Sequence, residues 1–159
     1  MNIDESFSRA LFTYSKNSIF LTKLAIFCGS FLIWLMLGFS LGRVFWNILF
    51  LVPIILLPWG VTFFISSLVK RPRPFESEHY KPIIKLFVYT NSFPSAHATI
   101  AFALVAAFLR DGEVWPFMLI AAFLVGLGRL MVGVHYLSDV LVGACIGFGL
   151  GYTTLFLFY

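Results

Sequence analysis

The chain has 159 residues, 60% of them hydrophobic and only 11% charged. That charged share is about half of what a soluble domain carries, which excludes a water-soluble globular fold and leaves one membrane-embedded bundle. The net charge of +4 comes without the Lys/Arg array and interleaved aromatics of a nucleic-acid face, so no nucleic-acid partner is expected.

Residues 2–17 set Ile3, Phe7, Ala10, Leu11 and Tyr14 at helical spacing among Asp4, Glu5, Ser8, Arg9 and Ser15. The pattern predicts an amphipathic helix lying on the membrane surface. The opening Met1-Asn-Ile-Asp-Glu is acidic and polar, unlike a cleavable signal. A first transmembrane helix follows over about 20–42, free of charge from Leu24 onward, with Lys23 able to snorkel at its edge. Gly38 to Gly42, with Arg43, reads as a tight turn. A second transmembrane helix spans 44–69, and Pro53 and Pro58 predict kinks within it.

Residues 70–93 form the one substantial polar loop. It holds five of the eleven Lys/Arg, which makes it the cationic side of any site. It also holds Glu76, Glu78 and His79; His79 reads as a solvated loop histidine, and Lys81 and Lys85 as headgroup contacts. Tyr80, Pro82, Ile83, Ile84 and Phe87 suit a segment resting on lipid. A third transmembrane helix is expected over 94–110, then a turn through Asp111-Gly-Glu113. A fourth, opened by Trp115-Pro116, covers 114–131, and a fifth covers 137–158. Gly126, Gly128 and Gly133, then Gly143, Gly147, Gly149 and Gly151, read as close-packing faces.

Cys28 and Cys145 lie in apolar runs and read as small buried hydrophobes. No His/Cys/carboxylate cluster has zinc spacing and no Asp-rich motif suggests magnesium, so neither metal nor cofactor is expected. The expected fold is an all-α integral membrane protein. It is a single domain over 1–159, a bundle of five transmembrane helices with an N-terminal interfacial helix. Alternation of five spans sets the first helix, the 70–93 loop, Pro94–His97 and Arg129–Asp139 on one side of the membrane.

The chemistry-bearing residues sit in those stretches. Arg129, His135 and Asp139 are ionisable groups in an apolar chain, which makes them a functional-site hypothesis. His135 and Asp139 are one helical turn apart and share a face. A carboxylate there can hold one imidazole nitrogen as N–H and leave the other as base or nucleophile. The alternative reading is a capped helix start with an interfacial His and Arg. Upstream, Ser92-Phe-Pro94-Ser95-Ala96-His97 opens a helix whose free amides and Ser95 hydroxyl can bind an anion. Lys70-Arg71-Pro72-Arg73-Pro74-Phe75 is a cationic clamp.

Basic clamp, Pro-Ser-x-His, then Arg-x5-His-x3-Asp, in that order, resembles the type 2 phosphatidic acid phosphatase superfamily. The resemblance covers roughly Arg73 to Leu141. It implies a metal-independent lipid phosphatase. His135 would be the nucleophile, His97 the acid and Asp139 the orienting carboxylate. Arg73, Arg129, Ser95 and Ala96, with Lys70 and Arg71, would hold the phosphate. Three positions depart from the pattern. Ser66 (or Phe64, depending on which Arg-Pro is aligned) stands where the first motif has lysine, so Lys70 or Arg71 is the candidate substitute. Ala96 replaces a glycine, and Gly128 a serine.

The bacitracin-resistance type of undecaprenyl-diphosphatase also tends to lack that lysine. It is similar to this chain in Arg73-Pro-Phe75, Ser92-Phe-Pro-Ser95, Trp115-Pro116 and Val132-Gly-x-His135-Tyr136. The likeness implies an undecaprenyl diphosphate substrate, a bacterial cytoplasmic membrane and a site facing outside. The alternatives are a phosphatase of phosphatidylglycerophosphate, phosphatidic acid or lipid A, or a lipid-phosphate binding or transport protein that does no catalysis. Charge opposes the external orientation. Only Arg43 and Arg110 lie on the side away from the motifs, and the positive-inside rule would turn the motif side toward the cytoplasm.

Overall fold

A computed structural model describes residues 3–43, 48–84 and 91–158. Within them every regular element is helical. Helix α1 (Ile3–Lys16) opens on Asp4 and Glu5 and closes on Lys16, charges that complement its dipole. Ser8, Phe12 and Ser15 are buried on its inner face, while Ile3, Phe7 and Tyr14 point outward. It therefore does more than float on a surface: it packs across the ends of the helices that carry the site.

Helix α2 (Ile19–Ile26), a wide π-type turn (Phe27–Phe31) and helix α3 (Leu32–Arg43) make one continuous rod. The turn expected at Gly38–Gly42 is absent. Those glycines lie inside α3, open on the side where a Cβ would project. Helix α4 (Ile48–Val69) contains both Pro53 and Pro58, and residues 44–47 of the expected second span lie outside the described residues. Lys70 closes α4 with a left-handed φ of 50° and an amide bonded to the Ser66 carbonyl. The polar loop is partly helical, through α5 (Pro74–Ser77), and its Lys85 and Phe87 lie outside the described residues.

Helices α6 (Ala96–Ala107), α7 (Trp115–Met131) and α8 (Leu137–Phe158) complete the bundle. Three stretches are long and apolar enough to cross a membrane: Ile19–Arg43, Leu49–Ser77 and Leu137–Leu157. The two others expected to span are shorter, at 12 and 17 residues. At 1.5 Å per residue α6 reaches only about 18 Å. Residues 108–110, expected to extend it, form a turn instead.

Burial explains how so short a helix is stable. Ala98, Ala101, Leu104 and Ala106 of α6 are fully buried, at 0% exposure, so α6 is the hub of the bundle and lipid touches little of it. Its largest interface is with α8. There Gly143, Gly147 and Gly151, spaced by four, face the α6 backbone at Ser95, Thr99 and Ala103. A Cβ at Gly147 would occupy the place of the Thr99 carbonyl. Gly149 faces away into open space, and Cys145, expected to be buried, is exposed on α8. On the other side of the bundle Gly128 of α7 meets Gly29 of the π-type turn backbone to backbone.

Candidate active site

The loop between α7 and α8 carries His135, and its shape follows from the sequence. Gly133 adopts φ +79°, which a glycine tolerates and a side chain resists. Its amide bonds the Leu130 carbonyl at 3.0 Å, and the Val134 amide bonds the Arg129 carbonyl at 3.4 Å. This paired closure ends α7 and turns the chain back, so Arg129 and His135 both reach the same region. Two residues on, Tyr136 starts α8: its carbonyl receives the amides of Asp139 and Val140.

His135 is 3% exposed. Its Nδ1 lies 2.8 Å from the Ser92 carbonyl, which can only accept, so Nδ1 carries the proton. The neutral ring then holds its lone pair on Nε2, and Arg73 Nη1 stands 3.4 Å from that atom. Burial above all pushes the imidazole down to about 4. The Asp139 carboxylate pulls the other way, and the charges of Arg129 and Arg73 add to the fall. At neutral pH the ring is therefore uncharged, with a free nitrogen beside a guanidinium.

Asp139 is fully buried and satisfied on both oxygens. Oδ1 accepts from Arg71 Nη1 at 2.7 Å. Oδ2 accepts from the Ser92 hydroxyl and from the Tyr136 amide at 2.8 Å, and it lies 3.6 Å from His135 Nδ1. Both the Ser92 carbonyl and the Asp139 carboxylate thus face the imidazole N–H, the carbonyl being the nearer. The alternative reading of Asp139 as part of a capped helix start fits the same bonds, because its carboxylate takes the amide of Tyr136, the residue just before α8.

Arg73 stands beside the unprotonated Nε2. Arg73 is 4% exposed and anchored by Nη1 to the Val134 carbonyl at 2.9 Å, while its amide bonds Glu76 at the start of α5. Arg129 is 2% exposed; Nη1 donates to the Gly29 carbonyl at 2.7 Å, but its buried Nε has no partner among the described residues. Ser95 Oγ is buried and likewise without one. His97 is half-buried in the first turn of α6, two residues beyond Ser95. Buried donors left unpaired are costly, and a phosphate offers them acceptors.

Not every expected phosphate contact lies there. The Ser95 amide is spent on the Asp139 carbonyl at 3.0 Å, so the amides still free of the α6 ladder begin at Ala96. Arg71 is turned away to carboxylates, reaching Asp139 with one nitrogen and Asp4 with the other at 2.8 Å. Lys70 is exposed and makes no side-chain hydrogen bond or ion pair among the described residues. Ser66 is buried, its carbonyl taken by Asn91 Nδ2 at 2.8 Å. Neither the Arg71 nor the Lys70 side chain makes a hydrogen bond to His135 among the described residues.

Sequence reasoning missed Ser92 as a working residue, although it opens the recognised motif. It also missed Asp4, Ser8 and the Gly29 carbonyl. A signal existed for the first two: Asp4, Ser8, Phe12 and Ser15 recur at helical spacing, a polar stripe that a helix facing only water and lipid does not need.

Over 95 residues the chain is 37% identical to the decaprenylphosphoryl-5-phosphoribose phosphatase of Mycobacterium tuberculosis, covering 58% of this chain and 50% of the relative. The chain thus spans about half the length of that curated relative. It is 41% identical over 61 residues to the bacitracin transport permease protein BcrC of Bacillus licheniformis, 36% of this chain and 29% of that one. The crystal structure of Aquifex aeolicus LpxE superposes with a TM-score of 0.76 at 25% identity, covering 98% of this chain and 96% of that one. A PAP2-type phosphatidylglycerolphosphate phosphatase from Bacillus subtilis superposes at 0.61 with 26% identity, covering 97% and 81%. Residues 47–159, which include α4, the clamp and every residue assigned to the histidine pair, match the PAP2 superfamily, and the chain belongs to it.

Proposed function

We propose that this protein is a membrane lipid phosphatase that hydrolyses undecaprenyl diphosphate to undecaprenyl phosphate and phosphate. The observation that carries the reading is the fixed tautomer of His135. Its Nδ1–H is held by the Ser92 carbonyl, and the lone pair of Nε2 faces Arg73. Nε2 attacks the terminal phosphorus, forming a P–N bond as the P–O bond to the lipid phosphate breaks. His97 donates its proton to the leaving oxygen. Arg73, Arg129 Nε, Ser95 Oγ and the amide of Ala96 hold the non-bridging oxygens. Water then attacks the phosphohistidine, giving its proton to His97, and the P–N bond breaks to release phosphate. Asp139 offsets the positive charge that the ring carries in the intermediate. Arginines neutralise the charge that a metal would hold elsewhere.

In the same reading the whole chain is one domain, with α6 and α7 completing five spans through the bilayer beside the three long stretches. The site opens on the N-terminal side, at the external face of a bacterial cytoplasmic membrane. The likeness to BcrC supports the diphosphate substrate, while the likeness to the Bacillus subtilis enzyme favours a second reading, a glycerophospholipid phosphatase. Phosphate release by the purified protein, in detergent with EDTA, separates the two. Preference for undecaprenyl diphosphate over phosphatidylglycerophosphate and phosphatidic acid is expected. Release only from a glycerophospholipid would move the function to phospholipid metabolism, and no release from any would overturn the phosphatase reading.

A further inference from the structure

The inner face of α1 is occupied along its whole length by the loop that carries His135. Ser15 Oγ donates to the Met131 carbonyl at 2.7 Å. Phe12 lies over Gly133, where a Cβ would strike its ring, and stacks on Tyr80 at 4.3 Å between centroids. Ser8 Oγ accepts the Leu137 amide at 3.0 Å. Asp4 accepts the Ser138 amide at 2.9 Å and the Ser138 hydroxyl. Two of the amides that the first turn of α8 leaves open are therefore satisfied by α1 rather than by water.

Asp4 does one thing more. Its Oδ2 receives Arg71 Nη2 at 2.8 Å, while Arg71 Nη1 donates to Asp139 Oδ1 and to Ser138 Oγ, each at 2.7 Å. The guanidinium also lies over the Tyr136 ring, 4.0 Å from its centroid. A planar fork gripped at two edges and one face has a single orientation. Burial alone would raise the Asp4 carboxyl, but its bonds to Ser138 and Arg71 hold it below the ordinary range, so it stays ionised for this task. With Asp4 neutral, Arg71 would keep one carboxylate, Asp139, and would be free to swing about it. The charge that Asp139 presents to His135 would move with it.

We propose that Asp4, acting through Arg71, is a positioning residue for the Asp139–His135 pair. The catalytic part rests on the phosphatase reading above. Asp4 lies far from the phosphate cradle in the bonding network, and its removal acts on turnover rather than on substrate binding.

The test compares the intact protein with Asp4→Asn, Arg71→Gln, Arg71→Lys, the double variant Asp4→Asn/Arg71→Gln, and Ser8→Ala. Asparagine can still accept the Ser138 amide, so the helix start survives. Asp4→Asn is expected to lower kcat about tenfold, the worth of one charge-assisted hydrogen bond, with KM unchanged. Arg71→Lys should recover part of what Arg71→Gln loses. The double variant should be no slower than Arg71→Gln, because the two residues act in series. Ser8→Ala removes a neighbouring bond to the same loop and should leave kcat near wild type. Wild-type kcat in Asp4→Asn, equal losses in Ser8→Ala, or multiplicative losses in the double variant would each overturn the proposal.

A second readout needs no turnover. In protein labelled with ¹⁵N-histidine, the ring signals of His135 should shift in Asp4→Asn and stay fixed in Ser8→Ala; unmoved signals in Asp4→Asn also overturn the proposal. Phosphate release failing in the wild type while those signals respond would sink the phosphatase reading and leave the positioning role standing.

Discussion

The α6–α8 interface and the cluster at its end are built on opposite principles from one continuous pair of helices. Along the interface, glycine and alanine bring two backbones together with almost no side chain between them, and exclusion of volume does the holding. At the end, one turn before Gly143, each close approach is a charge meeting a charge or a polar hydrogen, and both oxygens of Asp139 have donors. The two regions share Ser95. Its carbonyl lies where a Cβ on Gly143 would go, its amide bonds the Asp139 carbonyl, and its buried hydroxyl has no partner among the described residues. The difference teaches that the packed region fixes where the helices stand, and the polar region fixes which nitrogen of His135 is free.

The sharpest break in that comparison leaves the packing untouched and removes the chemistry. His135→Ala is expected to reduce phosphate release to the uncatalysed background while the protein keeps its thermal unfolding midpoint. Near-normal turnover would remove His135 from the nucleophile role.

Asp139→Asn comes next. The tautomer of His135 should survive, because the Ser92 carbonyl sets it, but the charge behind the ring is lost and the new amide meets Arg71. A fall in kcat of about a hundredfold or more is expected. A rate within twofold of wild type would show that the Ser92 carbonyl suffices alone.

The smallest effects come from the packed region and are read in stability. Gly147→Ala drives a methyl into the Thr99 backbone and should cost about 1–3 kcal/mol, whereas Gly149→Ala meets open space and should be neutral or slightly stabilising. Equal unfolding midpoints in detergent for the two variants would mean that the glycine stripe is not the contact holding α6 against α8.

Much of this was legible in the chain itself. Lys23 at the membrane edge, the charge-free runs and the Trp115-Pro116 start gave helices close to those observed, because hydropathy and helix caps are local properties. The order of Arg73, His97, Arg129, His135 and Asp139 identified the family that the match over 47–159 bears out. Length was harder to read. Helix α6 was expected over 94–110, yet it spans only Ala96–Ala107, since an apolar run looks the same whether lipid or protein surrounds it. Gly38 and Gly42 looked like a turn because in water they would favour one, whereas they continue α3. Arg71 was grouped with the phosphate ligands because cations adjacent in sequence look alike. Only the fold reveals that Asp4, 67 residues away, takes one side of its fork.

Helix α1 and the π-type turn together set how much of the chain works as one unit. The family match begins at residue 47, yet Asp4 and Ser8 hold the loop of His135, and the Gly29 carbonyl holds Arg129. Residues 47–159 by themselves hold every motif and none of those three supports. The working unit of this chain is therefore larger than its motifs suggest: a change at the first turn of α1 and a change at Arg71 touch one network, although 67 residues separate them.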